Sequence, residues 1–355
     1  MPKRDIVVIG ASAGGIIALV EFLKCIPEDF DGYIFVVQHL SPFSPSVLPQ
    51  ILGRVSTMKA VHPRDGEVMK KNTIYVAPPD HHLLLENDQI SIKKGPKENR
   101  FRPSIDALFR SAAYTYGPRV VGIVLSGLLD DGTSGLWSVK RHNGLCVIQD
   151  PEEAEFPSMP LNVLEYVDVD YSVPICEMGS LVSRLTAERA PEKTVLSESE
   201  IDLLKTEVNI AAQDNAFDMG VLDKGALTPL TCPECSGAMV QVTEGKIVRY
   251  RCHTGHGFTD SALLAGVTKA VEDNMWKCVR GMEEAIMILE RTARQYEQQG
   301  KEETASLFYR KAKETHDRTR VIRNHIFEQE KLSEDIRFNG APKENGVLKP
   351  FEDPA

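Results

Sequence analysis

The stretch DIVVIGASAGGIIALVEFLKCI, residues 5–26, decides how the first half of the chain is read. Ile6 to Ile9 is a short, wholly apolar run of the kind that forms a strand buried on both faces. From Ile17 the apolar residues recur as Ile17, Val20, Phe22-Leu23 and Ile26, close to a 3.6-residue period, and Pro27 closes the pattern. A strand therefore turns into a helix across Gly10-Ala11-Ser12-Ala13-Gly14, with the free N–H groups of the helix start facing whatever occupies the turn. Two readings fit: a G-x-S-x-G elbow that exposes Ser12 as a nucleophile, and a loose dinucleotide fingerprint. The fingerprint's second glycine lets backbone approach pyrophosphate, and Ser12 stands in its place.

Composition bounds the rest. At 355 residues and 42% hydrophobic content the chain can bury a full core and divides into two or more units. A formal net charge of -10 argues against a nucleic-acid surface. No apolar run reaches the length of a membrane span, and Met1-Pro2-Lys3-Arg4 leads into a strand, so the expectation is a cytoplasmic protein without membrane insertion. Seven irregularly spaced cysteines do not make a disulfide framework.

Through about residue 190, strands alternate with helices. Tyr33–Gln38, Val120–Ser126 and Leu145–Gln149 read as buried strands, and Ile105–Tyr116 and Thr133–His142 as helices. This alternation predicts an α/β class with a doubly wound, mostly parallel sheet. Lys59 to Lys94 reads differently, as short strands joined by Pro- and Asp-rich turns, an antiparallel hairpin at one edge. In such a sheet functional groups gather at the carboxyl ends of strands. Ser12, His39 and Asp131 each follow a strand, and together they supply a nucleophile, a base and a group to orient the imidazole. Taken singly, Ser12 is equally a helix N-cap, His39 a turn histidine and Asp131-Gly132 a turn dipeptide.

The segments IGASAGG, VVQHLSP, YVAPPDHHLLL, NRFRPSIDALFRSAA, VVGIVLSGLLDDGTSGL and VIQDPEEAEFPSMPLNVLE, in this order over about residues 4–188, resemble the catalytic domain of CheB, the protein-glutamate methylesterase of bacterial chemotaxis. The resemblance implies a three-layer α/β/α domain that hydrolyses glutamate γ-methyl esters on chemoreceptor helices, with glutamine deamidation in some members and no cofactor for catalysis. By position it implies Ser12 as nucleophile, His39 as base and Asp131 as orienting acid; Asp130 is the rival, and Asp131 is preferred because it directly precedes Gly132, as in the family. Backbone N–H groups at the start of the first helix, and that of His39, are the candidates for an oxyanion site. Ala13 and Leu128-Leu129 depart from the family pattern. The first strand begins by residue 6, which implies no N-terminal receiver domain and no control by aspartyl phosphorylation within this chain.

Beyond this 1–190 domain the reading runs as a polar linker over 191–230, a zinc-ribbon-like segment over 231–260, a helical hairpin over 261–332 and a disordered tail over 333–355. The linker carries a capping box at Ser197 to Glu200. Cys232, Cys235, Cys252 and His256 form two close pairs suited to a tetrahedral structural zinc ion, with His253 a rival fourth ligand. In the hairpin, Leu264, Val267, Val271, Trp276, Val279, Ile286 and Leu289 line one helix, and Phe308, Ala312, Thr315, Thr319, Ile322 and Ile326 step along a narrow seam of the other. That seam suits its own partner helix, a second subunit in a homo-oligomer, or a receptor bundle. Arg100 and Arg102 are candidate contacts to an acidic receptor helix, and His81 and His82 either rim the site or cap a hairpin. The functional expectation is a methylesterase acting on a methyl-accepting chemoreceptor; the alternative is a non-catalytic scaffold that binds receptor helices.

Overall fold

The structure is a computed structural model that describes residues 2–194, 196–212 and 216–335, with side chains as far as residue 328. In chain order the first elements are β1 (Ile6–Ala11), α1 (Gly15–Lys24), β2 (Tyr33–Gln38), α2 (Leu48–Val55), β3 (Lys59–Val61), β4 (Glu67–Val68), β5 (Thr73–Val76), β6 (His82–Glu86) and β7 (Gln89–Lys93). There follow α3 (Ile105–Tyr116), β8 (Val120–Val124), α4 (Thr133–Arg141), β9 (Leu145–Gln149), α5 (Ser158–Tyr166), β10 (Tyr171–Val173), α6 (Ile175–Ala187) and α7 (Glu198–Ala212). The chain continues through β11 (Ala226–Thr231), β12 (Ala238–Glu244), β13 (Ile247–Cys252) and β14 (Gly257–Thr259) into α8 (Asp260–Gln298) and α9 (Glu302–Asp335).

A seven-stranded sheet, all of whose pairings are parallel, has the order β10-β9-β8-β1-β2-β5-β3. The apolar runs form its centre because both faces are covered. Ile6 and Val8 enter a core with α3, α4 and α5, whereas Val7 and Ile9 enter a second core with α1, α2 and α6. Alternate side chains of one strand thus anchor two helical layers. From β1 the chain builds first to one side, through β2, β5 and β3, and then to the other, through β8, β9 and β10, so a crevice opens at the carboxyl ends of β8, β1 and β2.

Two regions differ from the sequence reading. Within Lys59–Lys94 only β6 and β7 form the expected antiparallel hairpin, joined by β4 in a separate three-stranded sheet; β3 and β5 extend the parallel sheet. Residues 191–230, read as a linker, contain the 15-residue helix α7, which packs on α3 and buries Leu204, Glu207, Ile210 and Ala211. Its acidic residues, interleaved with the apolar ones, made it read as polar, and one of them, Glu207, is part of what it buries. The Ser197 capping box is formed, with the Glu200 carboxylate accepting from the Ser197 N–H at 2.9 Å.

Strands β11 to β14 make a four-stranded antiparallel ribbon, and the residues through Gly266 form one compact unit that includes it. A second unit begins at Val267. There α8 and α9 pair along a seam in which Val279, Ala293, Ala305, Ala312, Thr319 and Ile326 are buried, and Trp276 meets Phe327 edge-on. Val267, Val271 and Trp276, expected on the packed stripe, are about two-fifths exposed, the buried line having shifted round the helix. The proposed tail overlaps α9 to Asp335; residues 336–355 lie outside the described residues.

Candidate active site

Ser12 sits where β1 gives way to α1. Its N–H donates to the Ser126 carbonyl (3.0 Å), and its carbonyl accepts from the Gly15 N–H (3.0 Å) and Gln38 Nε2 (2.7 Å). Gly14, with φ 71°, takes the left-handed turn that a side chain would strain, and so lets the serine stand clear of the strand. Ala13 and Gly14 have N–H groups that donate to no acceptor among the described hydrogen bonds. The His39 N–H, also offered for an oxyanion by the sequence, is taken by the Ala11 carbonyl at 3.1 Å, because the chain is still pairing as it leaves β2.

One imidazole joins the three residues predicted from sequence. His39 Nδ1 lies 3.1 Å from Ser12 Oγ, and Nε2 lies 2.9 Å from Asp131 Oδ2. The Phe101 ring stacks on the imidazole, 3.8 Å between centroids and 6° from parallel. Asp131 receives four further donors: the Ile105 N–H at 2.7 Å, the Asp106 N–H at 3.2 Å, Ser104 Oγ at 3.0 Å and Asn99 Nδ2 at 2.9 Å. The first two are free N–H groups of the α3 N-terminus, which favours a negative charge. Burial opposes the Asp131 charge, but the imidazole and these donors outweigh it and hold the carboxyl below its ordinary range. Burial and the Asp131 charge push the neighbouring Asp106 up to about 7, so the two carboxyls are driven apart.

Asp130 faces elsewhere. Its oxygens accept from Thr259 Oγ1 (2.8 Å) and from the Ser261 hydroxyl, and burial raises it to about 6 despite them.

The first half of the chain is similar to known proteins. The family described as CheB methylesterase matches residues 7–182. A putative protein-glutamate methylesterase/protein-glutamine glutaminase of Leptospira interrogans is 38% identical over 182 residues, which are 51% of this chain and 94% of that protein. The chain belongs to the CheB methylesterase family. A CheB relative from Methanosarcina mazei, named protein-glutamate methylesterase/protein-glutamine glutaminase 2, is 30% identical over 51% of this chain and 52% of its own length. The CheB methylesterase catalytic domain of Thermotoga maritima, a crystal structure, is 32% identical, covers 52% of this chain and 99% of its own, and has a TM-score of 0.49.

Other CheB-region residues singled out by sequence fall in different places. Arg102 is not offered to a partner: its guanidinium donates to Asp80 Oδ1 (2.9 and 2.7 Å) and to the Gly95 carbonyl (2.6 Å). His82 is wholly buried; burial pushes its pKa down, Nε2 faces the Pro96 carbonyl at 2.9 Å and Nδ1 accepts from the Ser104 N–H. It therefore supports Ser104, which donates to Asp131. Sequence reasoning missed Asn99, Phe101 and Ser104, all within the quoted NRFRPS segment, where only the arginines drew notice.

After the CheB-matched residues, Cys232, Cys235, Cys252 and His256 converge, their ligand atoms all within 4.8 Å of one another. Cys235 Sγ lies 3.6 Å from Cys252 Sγ, and His256 Nδ1 lies 3.7 Å from Cys232 Sγ and 3.5 Å from Cys252 Sγ. Edges of about 3.8 Å are those of a tetrahedron with ordinary zinc–thiolate bonds, so the four residues fit a metal ion. His253 is not among them; its ring lies against Gly237.

Proposed function

We propose that Ser12, His39 and Asp131 hydrolyse glutamate γ-methyl esters on a methylated chemoreceptor, acting in the cytoplasm. The observation that carries this reading is the single imidazole between the Ser12 hydroxyl and the buried Asp131 carboxylate, at 3.1 and 2.9 Å. With Nε2–H donating to Asp131, the Nδ1 lone pair faces Ser12 and takes its proton as Oγ bonds to the ester carbonyl carbon. The N–H groups of Ala13 and Gly14 meet the charge that develops on the carbonyl oxygen. The imidazolium, flanked by Asp131 and the Phe101 face, then gives its proton to the departing methoxide, and methanol leaves a glutamyl ester on Ser12. Water, deprotonated at the same Nδ1, cleaves that ester and restores the serine. With ammonia as leaving group the same route deamidates glutamine.

Methanol release from a receptor methylated at its glutamates tests the assignment. Ser12→Ala should lose at least ~10³-fold and Asp131→Asn ~10³ to 10⁴-fold, the latter through the wrong imidazole tautomer. Asp130→Asn should stay within about tenfold, since an amide oxygen still accepts one of its two hydroxyl donors. No release by the wild type from several receptors would replace the enzyme with the scaffold reading.

The Cys3His cluster is assigned a structural Zn²⁺, which would fasten the two ends of the ribbon with no open position for substrate. Metal analysis of the purified chain, with and without Cys232→Ser, tests it. Self-association is assigned to the hairpin, where Met287, Ile288 and Val321 are more than half exposed; sedimentation across a concentration series would read it.

A further inference from the structure

Strand β14 begins one residue after the ligand His256 and pairs on one side with β13. Its other side meets residues 97–99: the Gly257 N–H donates to the Lys97 carbonyl (3.2 Å), the Asn99 N–H donates to the Gly257 carbonyl (2.8 Å), and the Thr259 N–H donates to Asn99 Oδ1 (3.1 Å). Asn99 is 3% exposed and has φ 49°, a left-handed conformation that asparagine tolerates better than most residues. Its Nδ2 donates to Asp131 Oδ1 and to Asp106 Oδ2, both at 2.9 Å. An amide can satisfy this set in one sense only. The Thr259 N–H requires an oxygen, and that choice turns the NH₂ group toward the two carboxyls. Rotated the other way, the amide would set its oxygen against both carboxyls and an N–H against an N–H. Below this contact, Glu98 and Glu207 are ion-paired with Arg110, Arg249 and Arg251 in a wholly buried network, which ties β13 to α3 and α7.

We propose that Asn99 is a positioning residue for the triad, and that strand β14 of the ribbon imposes its orientation, so that the ribbon is a working part of the esterase. The proposal rests on the function assigned to Ser12, His39 and Asp131. Asn99 neutralises part of the Asp131 charge that faces His39, and it does so only while the Thr259 N–H holds its oxygen. The groups that face the imidazole are Ser12, Asp131 and Phe101; behind Asp131 stand Asp106 and, through Thr259, Asp130.

The test uses the full chain and the pH profile of kcat/KM for methanol release, whose acid limb reports His39 losing its proton. Asn99→Asp keeps the shape and adds a carboxylate beside Asp131; the expected result is a loss of about 10- to 100-fold, with the acid limb moved up by about one pH unit. Asn99→Ala, which adds no charge, should move the limb the same way by less. Cys235→Ser/Cys252→Ser, which disrupts the ribbon at residues that bond to none of the triad, should likewise lower the rate and raise the limb. Adding Asn99→Ala to it should cost less than about twofold more, because both changes act through one contact. An unmoved limb in Asn99→Asp would overturn the positioning role. An unmoved limb in the cysteine variant, or full additivity with Asn99→Ala, would overturn the link to the ribbon. An inactive wild type would instead overturn the esterase reading itself.

Discussion

The parallel sheet and the ribbon sit in one compact unit but are held together by different forces. The sheet's strands β1, β2 and β8 carry buried Val, Ile and Phe on both faces, in two large apolar cores. The ribbon's own apolar cluster is Cys232, Met239, Cys252, Phe258, Ala262 and Leu263, too small to hold four strands alone. In place of a core it has the Cys3His cluster at one end and, under β13, the buried carboxylates and guanidiniums of Glu98, Glu207, Arg249 and Arg251. Apolar burial is additive and insensitive to pH. Metal ligation and buried ion pairs are all-or-none in their partners, so the ribbon is the part of the molecule that can be undone by a chemical change.

Metal removal should separate the two regions most sharply. Chelation at neutral pH should strip hydrogen-exchange protection from β12 and β13 while β1 and β8 keep theirs, since structural zinc sites supply about 10 kcal/mol or more of folding free energy. Equal loss in both sheets would mean that the regions unfold as one.

Next in size is Glu98→Ala, which leaves Arg110, Arg249 and Arg251 short of a buried partner. It should cost about 3–5 kcal/mol, read by denaturant unfolding. Ile123→Ala, a cavity in the sheet, should cost a similar 2–5 kcal/mol. The two should part with pH. Burial alone would raise the Glu98 and Glu207 carboxyls, but the three arginines outweigh it and hold both below the ordinary 4.5. A folded-state pKa below the unfolded one means that the unfolded chain binds more protons. Stability from these groups is therefore present above about 4.5 and lost as pH falls through the folded values. Ribbon amides should lose protection first on acidification, and in Glu98→Ala that acid sensitivity should shrink.

The smallest effect is expected where charge pairing is exposed. Arg323 bonds to Glu283 across the α8–α9 hairpin with both side chains nearly half exposed. Arg323→Ala should change thermal stability by no more than about 0.5 kcal/mol. A loss comparable to that of Glu98→Ala would erase the distinction between buried and surface ion pairs drawn here.

Legibility followed the same division. β2 and β9 have the bounds read from sequence, and α3 spans Ile105–Tyr116 as expected, because an apolar run between turn residues is a local signal. Ser12, His39 and Asp131 were legible because each follows a strand of a parallel sheet, and strand ends on one rim converge by topology. That Cys232, Cys235, Cys252 and His256 come together was legible from spacing alone. Helix α7 and the Glu98 network were not. Glu98, Arg110, Glu207, Arg249 and Arg251 have the composition of a solvated surface, and only their meeting in space makes them interior.

The amino-acid sequence by itself therefore determined the parallel sheet, the serine elbow, the histidine and aspartate that complete its rim, and the two close pairs that make up the Cys3His cluster. Each of these is written in short-range pattern. Tertiary structure alone turned the Asn99 amide toward the triad, sent the Asp130 carboxylate to Thr259 and Ser261, and buried five charged residues beneath the ribbon. Those outcomes depend on contacts such as Asn99 with Thr259 and Glu98 with Arg251, between residues about 150 positions apart. No local propensity encodes such pairs; they exist once the ribbon has folded back against the start of α3.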